Sequence, residues 1–161
     1  MNIKKMNIKN IVLSIVASSV MVLANTGDSI QMSSIPFEEV ITMTNGQKAV
    51  ELKELKKATP GMVVTYVNRI KNPTNQDATN LVVVNPVPEH TIYVMNDTET
   101  AGVATEYSVD GKVFNTSSKV FINDLGVNRL AEAKEYTHIR YTIAKLKANS
   151  EIKVNLKTKI K

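Results

Sequence analysis

The amino-acid sequence predicts an all-β fold, an antiparallel sandwich of about seven to nine short strands, and three observations carry that reading. Runs rich in Val, Ile, Thr and Tyr recur along the chain, separated at short intervals by Asn, Asp, Gly and Pro. A helical apolar period is almost absent. Near the end, Ile152, Val154, Leu156 and Ile160 alternate with Lys153, Asn155, Lys157 and Lys159. That strict period of two is a strand with one dry and one wet face.

The 161 residues suffice for a single domain with a sizeable core. Residues 1–24 read as a signal peptide. Lys4, Lys5 and Lys9 form a basic start, Ile11 to Leu23 an apolar stretch, and Val22-Leu23-Ala24 a small-residue cleavage site. The apolar run is short for a membrane span, so cleavage after Ala24 is expected rather than an uncleaved anchor. Residues 25–36 are polar or aperiodic and read as a flexible lead-in. The sandwich domain is expected over 37–161. Such a chain is exported, to the periplasm or to the extracellular medium and cell surface, with no membrane span once the signal is removed.

Charge and cysteine narrow the function further. The chain has 20 Lys+Arg and 15 Asp+Glu, and three of those lysines and none of the acids lie within residues 1–24. The remainder carries 17 cations against 15 acids, a net of +2, with the two signs intermixed. Nucleic acid is not indicated, because binding it calls for a clustered basic patch. The cysteine count is 0, so neither disulfides nor a lipid-modified cysteine contribute, and the core stabilises the fold unaided.

The elements follow in order. Phe37 to Met43 reads as a strand, and Asn45-Gly46 as a tight hairpin turn, since both residues accept positive φ. Lys48 to Leu55 suits a helical turn locally but reads as an extended arm, because the hairpin demands a partner. Pro60-Gly61 opens the central strand: proline presets φ and glycine takes the positive φ that follows. In that strand Val64, Tyr66, Asn68 and Ile70 point to the core, and buried Asn68 needs a hydrogen-bond partner there. Leu81 to Val84 is apolar on both faces, as within a sheet, and Pro86 and Pro88 stop it. His90 to Met95 is a further strand, followed by a polar turn at Asn96-Asp97-Thr98. Val103 to Val109 turns at Asp110-Gly111 into a return strand, Lys112-Val113-Phe114. Lys119 to Ile122 forms a short strand, and Asn123 to Ala133 reads as irregular, with a turn at Asn123 to Gly126. Tyr136 to Ile143 and Glu151 to Lys161 are the last two strands.

Five segments in register, counting the Pro86-Val87-Pro88 stop separately, resemble a known family. They are Ala58-Thr59-Pro60-Gly61 with Val64-Thr65-Tyr66 and Asn72; Ala78 to Val83 with Pro86-Val87-Pro88; Tyr107 to Gly111 with Phe114; and Tyr136 to Thr142. Together they resemble the bacterial conserved-repeat domain, domain of unknown function eleven, over roughly residues 38–161. The resemblance implies an immunoglobulin-like sandwich on exported bacterial proteins, with no catalytic residues and no cofactor. At Asn68 this chain departs from the aliphatic residue usual in that family.

Side chains capable of chemistry are few. His90 and His138 are the imidazoles, and no nucleophile motif surrounds any serine. Met32, Met43, Met62 and Met95 share no metal-binding spacing and read as core fillers. Asp97, Asp110 and Asp124 sit in separate turns where turn chemistry alone explains an acid, though three such turns at one end of a sandwich could hold calcium. Tyr66 and Tyr136 read as core aromatics with hydroxyls at a polar rim. Lys153, Lys157 and Lys159 suit the wet face of an edge strand, guarding against strand addition, or a cationic stripe for an envelope polymer. No catalytic, cofactor-binding or metal-ligating residue is assigned. The expectation is a non-catalytic structural or interaction module of a bacterial cell envelope, meeting another envelope protein or an envelope polymer. The alternative is a small periplasmic carrier or chaperone for a metal, a small ligand or a protein strand.

Overall fold

A computed structural model describes residues 30–95 and 99–161, so the expected signal peptide and the turn around Asp97 lie outside the described residues. The described chain forms ten strands, one more than the upper expectation: β1 (Gln31–Thr44), β2 (Gln47–Glu54), β3 (Val63–Asn72), β4 (Ala78–Pro86), β5 (Thr91–Tyr93), β6 (Val103–Ser108), β7 (Phe121–Asp124), β8 (Val127–Leu130), β9 (His138–Leu146) and β10 (Ser150–Ile160). Every pairing is antiparallel. One sheet has the order β2-β1-β3-β10-β5, the other β4-β9-β6, and β7-β8 is a separate hairpin.

The two larger sheets enclose one core. Ile70, Leu81, Val83, Ile139, Ile143 and Val154 are fully buried between them, each contributing on the order of 1.5–3 kcal/mol by leaving water. Val64, Tyr66, Asn68 and Ile70 face this core as the alternation predicts, and so do Val154, Leu156 and Ile160. Four strands opposite three, with β2 appended, is the layout of immunoglobulin-type sandwiches. The connectivity differs from the antibody order. β10 lies beside β5, yet four strands separate the two along the chain.

The turns at Asn45-Gly46 and Pro60-Gly61 form as their residues predict. Asn45 and Gly46 have φ of 52° and 77°, the two successive positive values of the tight turn that matches strand twist. Met62 N–H donates to the Thr59 carbonyl at 3.2 Å around Pro60-Gly61.

Several expectations are corrected. The lead-in ends early: Gln31 to Glu38 belong to β1 and pair with Val64 to Lys71 of β3. The return strand after Asp110 does not form beyond a single bridge, Tyr107 to Asn115. The Asp110 carboxylate accepts the Lys112 and Val113 N–H groups, which a ladder would have used. The short strand expected at Lys119 to Ile122 forms as β7 from Phe121. The stretch after Asn123 read as irregular completes it and adds β8, the hairpin turning at Leu125 and Gly126 with φ of 49° and 87° within the expected turn. His90 precedes β5 rather than lying in it, exposed, at φ 61°. β4 is an edge of its sheet rather than an inner strand, and Val82 and Val84 face its uncovered outer side, half-buried like their β9 partners Thr142 and Arg140.

Candidate functional site

The outer face of the five-stranded sheet is the surface that chemistry sets apart. Pairing with β3 puts Met32, Ser34, Pro36 and Glu38 of β1 on the same side as core-facing Ile70, Asn68, Tyr66 and Val64. The odd residues Ile35, Phe37, Ile41 and Met43 therefore face outward. A shift of one residue would have turned Ile35 and Phe37 to the core. Ile35, Phe37, Leu52 and Val67 floor a shallow depression of about 320 Å³, rimmed by Arg69, Lys153 and Asn155. The apolar surface continues onto Ile41 and Val50, which are 58% and 57% exposed.

Ion pairs frame this floor. Glu39 accepts from the Thr65 hydroxyl at 2.9 Å and meets the Lys157 ammonium at 2.8 Å. This contact explains why Thr65, on the outer face, is as buried as Tyr66 on the core face. Arg69 lies 3.5 Å from Glu151. The lysines of β10 are therefore not a uniform cationic stripe, since acids from β1 and β10 itself interrupt them. Nor is β10 an edge strand throughout, because Thr158 to Ile160 pair with β5.

The fold brings one serine, one aspartate and one histidine close together, at the end of β6. Ser108 pairs with His138 in the β6–β9 register. The Ser108 hydroxyl, however, donates to Asp110 at 2.9 Å and accepts the Gly111 N–H at 2.9 Å. His138 Nδ1 lies 2.9 Å from the Thr137 hydroxyl, and its ring packs on Gly111, where a Cβ would meet Cε1 at 2.8 Å. A nucleophile must hand its proton to the imidazole, and here that proton goes to a carboxylate. The arrangement is a turn lock. Backbone N–H donors from Val113 and Lys112, then the Ser108 hydroxyl, hold the Asp110 carboxyl down at about 2.

The other weighed residues are dispersed. Asp124 accepts from Arg129 Nε at 3.2 Å, while the same guanidinium grips Glu135 with two bonds of 2.8 and 2.9 Å. Among the described residues no three His, Asp or Glu side chains gather as a metal site. Tyr66 is buried, and Tyr136 stacks on Tyr107 at 4.8 Å with Tyr93 at 6.0 Å from it, so both read correctly as core. Met32 and Met62 pack against the core, whereas Met43 and Met95 are exposed and fill nothing. Among known proteins, no family model, no curated protein and no solved structure matches this chain.

Sequence reasoning missed the outer face. Its one signal was the period-two set Ile35, Phe37, Ile41 and Met43, which by itself reads as a core face.

Proposed function

We propose that this chain is an exported, non-catalytic interaction module of a bacterial cell envelope, and that it meets a protein partner through the outer face of its five-stranded sheet. The observation that carries the reading is the apolar floor of Ile35, Phe37, Leu52 and Val67 framed by Arg69, Lys153 and the Glu39–Lys157 pair. An apolar centre within a polar, charged rim is the anatomy of a protein interface. Export is supported by the basic, apolar and small-residue succession of residues 1–24. The resemblance of residues 38–161 to the conserved-repeat domain favours an envelope setting.

The test is attachment of the protein to isolated envelopes before and after Phe37→Asp, with Val113→Asp, an exposed apolar residue elsewhere, as control. Loss of attachment with Phe37→Asp alone is the expected result. Equal attachment of both variants would remove the outer face from the function.

A second reading draws on the depression itself. Its apolar floor and the adjoining Arg69 and Lys153 suit a small amphiphile with an anionic head, as a carrier would hold. A raised melting temperature with medium-chain fatty acids would favour that reading, since a ligand of the folded state stabilises it.

A further inference from the structure

We propose that two copies of this chain associate through the β1–β2 hairpin, their β2 strands pairing antiparallel so that the two five-stranded sheets become one. β1 pairs with β3 only as far as Glu38, and beyond that point Glu39 to Thr44 have β2 as their strand partner. The hairpin thus projects from the sandwich by about 20 Å, at roughly 3.4 Å per residue. Every residue of β2 is exposed, and among the described residues its outer edge has no strand beside it. The register from Phe37–Glu54 to Thr44–Gln47 runs without a bulge, and β2 contains no proline. A bulge, proline or short strand does not blunt this edge; its charges, Lys48, Glu51, Lys53 and Glu54, are of both signs, so they repel a foreign strand yet can complement a second copy. A two-stranded ribbon in water is marginal, yet this one exposes Ile41, Met43, Val50 and Leu52 at 58%, 69%, 57% and 41%.

The β2 sequence selects a second copy as the occupant. A two-fold axis perpendicular to the sheet keeps each side chain on its own face, so opposed residues must share parity. Centred on Glu51, the pairing sets Lys48 against Glu54 and Val50 against Leu52, and symmetry makes each pair twice. Moving the centre to Val50 puts Lys48 against Leu52, and moving it to Leu52 puts Val50 against Glu54. Opposite charges and apolar pairs directly across a ladder are favourable, and the Glu51 register alone satisfies all four positions of that face. On the reverse face Glu51 meets its mate, flanked by Lys53 of both copies. Lys53 already lies 3.6 Å from Glu51 within one chain. This association is independent of what the outer sheet face or the envelope provides.

The chain recovered from cells expressing the full sequence tests the proposal by sedimentation. The parent chain is expected to dimerise. Lys48→Glu alone and Glu54→Lys alone each create two like-charge pairs and should weaken the dimer roughly tenfold or more. Mixing the two variants restores both ion pairs, so a heterodimer should reappear at the parent affinity. Because the chain has no cysteine, Glu51→Cys should form a disulfide-linked dimer on mild oxidation, since the two positions face each other across the axis. Gln47→Cys, near the strand end, should not. Unchanged far-UV dichroism shows that the variants fold. A parent chain that is monomeric at all concentrations overturns the proposal. So does a dimer indifferent to both charge reversals, or a β2 edge that takes up only extended peptides of other sequence.

Discussion

Asn72 and Asn68 lie on one strand, both buried, and the structure uses them oppositely. Asn72 Nδ2 donates toward the carbonyls of Gln76, Leu146 and Lys147, and its Oδ1 accepts from the Thr74 N–H and hydroxyl. It ties the end of β3 to the β9–β10 turn. Asn68 has a long 3.5 Å contact to the Tyr66 carbonyl. Asn72→Leu should therefore cost about 2–4 kcal/mol in urea melts, because several buried groups lose their partner together. Asn68→Leu should cost less than about 1 kcal/mol or stabilise. Thr158 offers a cleaner case. Its hydroxyl is the buried polar atom left without a partner among the described residues. Thr158→Val keeps the shape, removes that hydroxyl, and should raise stability by about 1 kcal/mol in the same assay. Acid stability is set by individual carboxyls. Asp110 is lowered from 3.8 to about 2 by the Val113 and Lys112 N–H groups, and Glu135 from 4.5 to about 2 by Arg129. Both titrate lower in the folded chain, so the unfolded chain takes up protons first as pH falls. Their contribution is complete above about pH 4.5 and lost between there and about pH 2. The urea midpoint should fall across that window, and Asp110→Asn with Glu135→Gln should flatten the fall.

At the scale of elements, the two tight hairpins contrast. The β1–β2 turn uses Asn45-Gly46, residues that accept positive φ. The β7–β8 turn places Leu125, fully exposed, at φ 49°. A leucine in the left-handed region carries a steric cost of roughly 1–2 kcal/mol and here recovers nothing by burial. Leu125→Asn should stabilise the domain by about 0.5–1 kcal/mol, read as a higher thermal midpoint, with β7–β8 pairing unchanged in amide exchange. The hairpin itself is held by Arg129, whose bidentate grip on Glu135 joins β8 to the turn before β9. The failed return strand after Asp110 follows the same logic. A side chain that captures backbone donors locally takes them from a ladder.

At the scale of the molecule, cleavage after Ala24 is the expectation that decides where the domain works. The intact mass of the protein from the exported fraction should correspond to a chain beginning at Asn25, and a product beginning at Met1 would make it membrane-tethered. The all-β class was legible in the sequence because its signals are local. Turn residues with positive φ, proline stops and the period-two patterns of β3 and β10 each act within a few residues of themselves. The core faces of β3 and β10 came with them. Which strand lies beside which is a matter of pairing between distant segments, and only the tertiary structure decided it. β10 settles beside β3 along its length and beside β5 only from Thr158 to Ile160, and of its lysines Lys157 meets Glu39. β1 takes the register that turns Met32 and Pro36 toward the core side and Ile35, Phe37 and Ile41 to the outside. Alternation marks two faces but does not say which one is covered, and the partner strand supplies that answer.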